Sequence, residues 1–131
     1  MTVRVIWKLN GMEKYLEALY EAGKDVEAAA DRAVAAAGAV LLEGMKQRVP
    51  VLTGNLKSNL ECSAPMRDGY VHYVEVGIKK DVDPETARYG NVQEYGSAHT
   101  PPHSYIRATF DEDEKKARKA ERESLKKDGV I

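Results

Sequence analysis

A run of small apolar residues at helical spacing constrains this chain more than any other feature. Val26, Ala30, Ala33, Ala37, Leu41 and Met45 recur three or four positions apart, while Glu27, Asp31, Glu43 and Lys46 fall on the other side. That is the pattern of an amphipathic helix, running from Lys24 to Arg48 and expected to be the longest buried helix of the molecule. Most of its inward residues are alanine or glycine, Gly38 and Gly44 among them, so a neighbouring sheet or partner subunit can approach its backbone closely. Pro50 ends it, because proline disfavours helix in the preceding residue and has no amide hydrogen. Thr53 is then placed to cap a short turn from Gly54 to Ser58. The whole segment from Arg48 through Pro50, Thr53, Gly54 and Leu56 to Ser58 reads as a shaped junction between elements, not as a reaction centre.

The flanking sequence supplies the partners for such a helix. Val3, Val5 and Trp7 alternate with Arg4, Ile6 and Lys8 at the period of a strand, closed by an Asn10-Gly11 turn. Met12, Tyr15, Leu16, Leu19 and Tyr20 form one apolar stripe on a short helix ending near Gly23, most simply read as core. Leu56 to Ala64 and Gly69 to Ile78 read as a hairpin whose turn is Pro65-Met66-Arg67-Asp68-Gly69. Lys79 to Thr86 is polar and broken by Pro84, the composition of an exposed loop, and Tyr89 to Tyr95 is expected to return as a strand or irregular edge. From about Pro102 to Lys127 the pattern is helical again, with acids first (Asp111, Glu112, Asp113, Glu114) and bases after. Glu112 with Lys116, Glu114 with Arg118 and Glu123 with Lys127 stand four apart in the favourable order. Ile106 and Phe110 can anchor the start of this helix, but beyond them only Ala117, Ala120 and Leu125 are apolar. Its far half is therefore expected to project, to fray or to pack on another molecule. The resulting fold class is α+β: an N-terminal strand, a short helix, the long alanine-rich helix, a small antiparallel sheet and a C-terminal helix. Residues 1–110 are expected to form one domain and 111–131 a charged extension, so that truncation after Phe110 should leave a folded domain.

Composition excludes several function classes. The chain has 131 residues, enough for one domain with a real core. Its 20 lysines and arginines against 21 aspartates and glutamates leave a formal net charge of −1, so no global field draws it to nucleic acid or an anionic membrane. The single cysteine, Cys62, permits no internal disulfide and reads as a small, half-buried strand residue. After Met1 come charged and strand-forming residues, without a signal peptide's apolar run or a bilayer-length span, which points to the cytoplasm.

Reaction chemistry finds little support. His99 and His103 are four apart, but Pro101 and Pro102 between them forbid the helix that would align the rings, and no carboxylate or thiolate nearby completes a ligand set. Glu94 beside Tyr95 has no partner at catalytic spacing. No phosphate-cradling glycine pattern occurs. No metal, cofactor or enzymatic activity is expected. Two other classes compete with a structural role. One is a small nucleic-acid-associated module using Arg118, Lys119, Arg122, Lys126 and Lys127, against which the interleaved acids argue for a merely solvated helix. The other is a hydrolase built on Glu94, Tyr95, His99 and His103, which would require a pocket holding at least two of them.

The alanine-rich helix ending in Arg48-Val49-Pro50-Val51, the Thr53-Gly54-Asn55-Leu56-Lys57-Ser58 turn, and the later Glu94-Tyr95-Gly96-Ser97 followed by Pro101-Pro102 and Tyr105-Ile106-Arg107-Ala108 together resemble the neck or tail-component (tail completion) family of long-tailed bacteriophages and prophages. The resemblance spans roughly Ala30 to Phe110. It departs at Tyr95, where phenylalanine is commoner, at Ser97 in place of threonine, and at Ala108-Thr109 in place of proline-alanine. What it implies is a structural virion protein of the head–tail junction, acting as a ring of copies between the connector and the tail terminator. Such a protein would be assembled in the host cytoplasm and carried in the virion, without membrane or specific nucleic-acid binding. Arg48, Pro50, Thr53, Gly54 and Leu56 would fix the angle between helix and sheet, Glu94, Tyr95 and Gly96 the return of the chain, and Pro101, Pro102 and Arg107 the last helix. Subunit contacts are expected on the Lys79 to Gly90 segment (Lys79, Lys80, Asp83, Glu85, Arg88) and on the helix after Phe110 (Ala117, Leu125).

Overall fold

The computed structural model describes residues 4–9, 13–21, 26–51 and 54–131, with the backbone alone over 13–16. In chain order the elements are β1 (Arg4–Lys8), α1 (Glu13–Glu21), α2 (Glu27–Arg48), α3 (Asn55–Ser58), β2 (Leu60–Cys62), β3 (Met66–Asp68), β4 (Val71–Ile78), α4 (Pro84–Tyr95) and α5 (Ile106–Lys127). The class is α+β, as the sequence pattern requires. The Asn10-Gly11 turn, Val3, Met12, the helix end near Gly23 and the Thr53 cap lie outside the described residues, as do the side chains of Tyr15 and Leu16.

β4 is the centre of the sheet. β1 pairs antiparallel along one edge, from Arg4 opposite Gly77 to Lys8 opposite Tyr73. β2 and β3 follow one another along the other edge, Leu60 opposite Ile78 and Met66 opposite Tyr73. Between them the ladder is carried by Ser63, whose amide donates to the Glu75 carbonyl at 2.8 Å and whose hydroxyl accepts from the Glu75 amide at 2.9 Å. Period-two alternation then decides the faces. Trp7, His72, Val74 and Val76 are buried on the face that meets α2 and α5, while Ile6 is 52% exposed on the opposite face.

α2 packs on the sheet along one side and on α5 along another, which explains its composition. Ala30, Ala33, Val34, Ala37, Leu41 and Met45 are all fully buried. A Cβ added at Gly38 would press on Cys62 and stand 3.0 Å from Val74 of the sheet, and one at Gly44 would stand 2.8 Å from Thr109 of α5. A helix covered on two sides needs small residues where its neighbours come closest, and its glycines and alanines meet that need, while Val34, Leu41 and Met45 fill the wider gaps.

Four local expectations are corrected. Tyr89 to Tyr95 is helix, not strand: Pro84 occupies the first turn of α4, and the Asp83 carboxylate accepts from the Thr86 amide (3.0 Å) and hydroxyl (2.8 Å), a combination that starts helices. The exposed loop therefore ends at Asp83, and Thr86 is buried. Leu56 belongs to α3, so the extended run begins at Leu60, and Met66–Asp68 is strand, which shortens the hairpin turn to Gly69 and Tyr70, with Gly69 at φ 63°. In α1, Leu19 packs on the core, but Tyr20 is 51% exposed with its ring edge-on to Tyr70.

The fourth correction concerns α5, which neither projects nor frays. Ala117, Glu121, Leu125 and, just beyond the helix, Val130 are buried. Counting apolar residues undervalued this helix because polar ones also face inward: the Trp7 indole N–H donates to Glu121 Oε1 at 3.1 Å, and the Thr109 hydroxyl donates to the Tyr105 carbonyl at 2.5 Å. Of the three intrahelical pairs, Glu114 with Arg118 forms at 3.2 Å, whereas Glu112 turns to Arg48 and Glu123 approaches Lys119. Removing residues 111–131 would uncover one whole side of α2. A chain truncated after Phe110 is accordingly expected to lose cooperative thermal unfolding by circular dichroism; a sharp transition at the full-length temperature would contradict this packing.

Candidate functional site

Arg48, from the junction that ends α2, and Glu94 and Arg107, from the later motif, converge on the first two turns of α5. An α-helix begins with free amide hydrogens and the positive end of its dipole, and here a carboxylate from another helix meets them. Glu94, in the last turn of α4, is wholly buried. Its Oε1 accepts from the amides of Tyr105 (2.9 Å) and Ile106 (2.7 Å), and its Oε2 from the Arg107 amide (3.1 Å) and Arg107 Nε (2.7 Å). The Arg107 guanidinium also donates to the Glu94 carbonyl and lies over the Tyr95 ring, 4.9 Å from its centroid. One arginine thus closes the end of α4 and the start of α5 together.

The surrounding backbone is shaped to allow this. Gly96 has φ 78°, a left-handed value that suits glycine, and its amide donates to the Val92 carbonyl at 2.7 Å. A side chain there would meet the Thr100 carbonyl and Pro102, 2.9–3.0 Å away. Pro101 and Pro102 are themselves exposed, and the loop is tied back by the His103 amide donating to the Gln93 carbonyl at 2.7 Å. Tyr105 is buried and donates from its hydroxyl to the Gly90 carbonyl at 3.2 Å. Burial, followed by the negative charge of Glu94, pushes that phenol well above its ordinary range.

The first segment reaches the same place from α2. Arg48 forks onto α5: Nη1 donates to Asp113 Oδ2 at 2.7 Å and Nη2 to Glu112 Oε2 at 2.8 Å, with longer bonds to Asp113 Oδ1, Thr109 Oγ1 and the Gly44 carbonyl. The Arg48 hydrogen bonds outweigh partial burial and hold the Asp113 carboxyl below its usual range. Pro50 follows the helix end at Val49, Gly54 takes φ 85° before α3, and Leu56 is buried where a Cβ on Gly90 would stand 3.0 Å from its Cδ1. Leu56, Gly90, Ile78 and Tyr105 therefore meet at one point.

The other expected groupings are not brought together. Glu94 is sealed, Tyr95 is 59% exposed beneath Arg107, and His99 and His103 stand on the exposed loop, so the four share no cavity. Among the described residues no cluster of histidine, cysteine and carboxylate side chains could hold a metal ion, and no helix is long and apolar enough to cross a membrane. Of the expected contact residues, Ala117 and Leu125 are buried against this chain's own α2 and Asp83 caps α4, whereas Lys80, Glu85 and Arg88 are exposed and Lys79 partly so. Glu85, Arg88, Tyr89 and Val92 line a shallow depression of about 410 Å³ on the outer face of α4.

Sequence reasoning missed three polar links. Arg4 donates to Glu61 (3.0 Å), Glu75 (3.2 Å) and the Ile78 carbonyl (2.7 Å). Asp31, on α2, accepts from Arg67 at 2.6 Å and lies 2.7 Å from His72 Nδ1. Glu121 meets Trp7 from 114 positions away, and burial pushes its carboxyl up, partly offset by the indole bond. None has a local signal, since each partner lies on a different element.

With the geometry established, comparison with known proteins places the chain. The family model described as "Bacteriophage HK97-gp10, putative tail-component" matches residues 10–96. The chain belongs to this family. No curated protein and no solved structure matches. The family match covers α1 through α4 and ends two residues past Glu94, so it includes the carboxylate that receives α5 and stops short of α5 itself.

Two outcomes follow from this site. Glu94→Ala leaves three amides and a guanidinium without their acceptor and is expected to cost about 3–5 kcal/mol, the range for breaking one side of a buried charge network; chemical denaturation measures it, and a loss below about 1 kcal/mol would contradict the capping role. Asp113 has its folded pKa depressed below the unfolded value of about 3.9. Its contribution is present above that value and lost as the pH falls through the folded one. Asp113→Asn should therefore lower the melting temperature at neutral pH and flatten its decline below about pH 4, whereas an unchanged acid limb would contradict the Arg48 pairing.

Proposed function

We propose that this tail-component family member is a structural subunit of the head–tail junction of a long-tailed phage or prophage, assembling with further copies into a ring between connector and tail terminator. The carrying observation is the family match across residues 10–96. The site supports a mechanical role: the polar atoms of Glu94, Arg48 and Arg107 are spent on locking α2, α4 and α5 to one another, which suits a rigid part of an assembly. A heterologous contact repeated about a rotation axis closes into a ring. The surface proposed for that contact is Lys79 and Lys80, which follow β4, with Glu85 and Arg88, where α4 turns its outer face to solvent. On this reading the protein needs no cofactor, is made in the host cytoplasm and ends in the virion.

Quantitative mass spectrometry of purified particles tests the reading. The chain is expected in a fixed stoichiometric ratio to the portal protein; intact tailed particles from the same phage that lack it would overturn the proposal. A charge reversal Arg88→Glu should leave the fold intact while reducing the yield of joined particles, as counted by electron microscopy.

A further inference from the structure

The acids interleaved with bases along α5 argue, in sequence, for a balanced and merely solvated helix. Folding removes that balance. Glu112 and Asp113 are taken by Arg48, Glu114 by Arg118, and Glu121 is withdrawn beneath the surface to the Trp7 indole. From Lys115 onward what remains outward is Lys115, Lys116, Lys119, Arg122, Lys126 and Lys127, with Glu123 the exposed acid among them and Asp111 exposed one turn before. Lys115, Lys119, Arg122 and Lys126 fall at i, i+4, i+7 and i+11, which places them in one stripe along the solvent side of the helix. At 1.5 Å per residue the stripe is roughly 16 Å long. Of its four members, Lys119 alone has an ion pair among the described residues, a 4.0 Å approach to Glu123 at 77% and 66% side-chain exposure.

We infer that this stripe is a sequence-independent docking surface for the phosphate backbone of duplex nucleic acid. The inference goes beyond the junction reading and does not rest on it. Charge complementarity selects a polyanion, and the absence of an apolar centre selects which kind. Protein interfaces draw their affinity from a desolvated core of aromatic or aliphatic residues, whereas the outward face of α5 from Lys115 to Lys127 exposes no large apolar side chain. A phosphate backbone asks for no such centre, since release of its condensed counterions drives association. The chain's overall charge of −1 means that the remaining surface is on balance acidic, which favours presentation of this one helix to the polyanion.

The test uses the full chain and fluorescein-labelled duplexes of about 20 base pairs in two unrelated sequences, followed by anisotropy as salt is raised. Both duplexes are expected to bind equally at low salt. With four phosphates contacted, the log–log salt slope should be about −3.6, a loss of roughly 150-fold between about 50 and about 200 mM. Combining Lys115→Gln, Lys119→Gln, Arg122→Gln and Lys126→Gln should abolish the salt dependence with the melting temperature retained. Lys8→Gln with Lys46→Gln and Lys57→Gln, which remove cations elsewhere, should leave the slope in place. Failure to bind at about 25 mM salt would overturn the proposal. So would an equal loss in the control variant, or binding of polyglutamate in place of duplex, which would assign the stripe to an acidic protein surface.

Discussion

The fold depends on one buried carboxylate. Glu94 leaves water completely, an expense that a lone ion could not sustain in a low-dielectric interior. What compensates it is the start of another helix: three amide hydrogens, the positive end of the α5 dipole and the Arg107 guanidinium converge on its two oxygens. The arrangement fixes position as well as energy. Because the acceptor sits in the last turn of α4 and the donors open α5, the two helices cannot shift relative to one another without leaving charge unsolvated. Gly96 makes the reversal between them possible, and Gly90 lets Tyr105 reach the α4 backbone.

From that anchor α5 runs back along α2, and the second clasp, Arg48 with Asp113 and Glu112, binds the far end of α2 to the same stretch of α5. α2 can serve both the sheet and α5 because its closest contacts are made at glycine, Gly38 toward the sheet and Gly44 toward α5, with alanines among the larger Val34, Leu41 and Met45. Small residues shorten the distance between layers, and close packing of that kind rewards fit rather than the burial of any single large side chain. The fold therefore distributes its core across many short contacts and concentrates its specificity in a few charged ones. Such a division keeps the subunit rigid while leaving its outer surfaces free to vary.

How much of this was legible in the sequence follows the range of the interactions. The inward face of α2 was readable residue by residue from Val26 to Met45, and so was β1, since both depend on local periodicity. α4 was misread although its start signal, Asp83-Pro84-Glu85, was present, because Gly90 and Asn91 interrupt any apolar stripe behind it. The far half of α5 was misread because what buries Glu121 is Trp7, at the other end of the chain. Glu94 was singled out by the motif, but its role could not be seen in advance: a carboxylate that caps amides 11 to 13 positions downstream looks in sequence like any other glutamate beside an aromatic residue. Ala117 and Leu125, expected at a subunit contact, are buried within this chain for the same reason, since burial within the chain competes with burial between chains.

Amide hydrogen exchange at Tyr105, Ile106 and Arg107 tests the central claim most directly, because ordinary helix starts leave these amides to solvent. If Glu94 holds the junction, all three exchange only through global unfolding in the natural chain, and lose that protection selectively in a Glu94→Gln variant whose α2 amides stay protected. Rapid exchange of the three in the unaltered protein would show that α5 is held by its packing on α2 alone, and the account built on the buried carboxylate would be wrong.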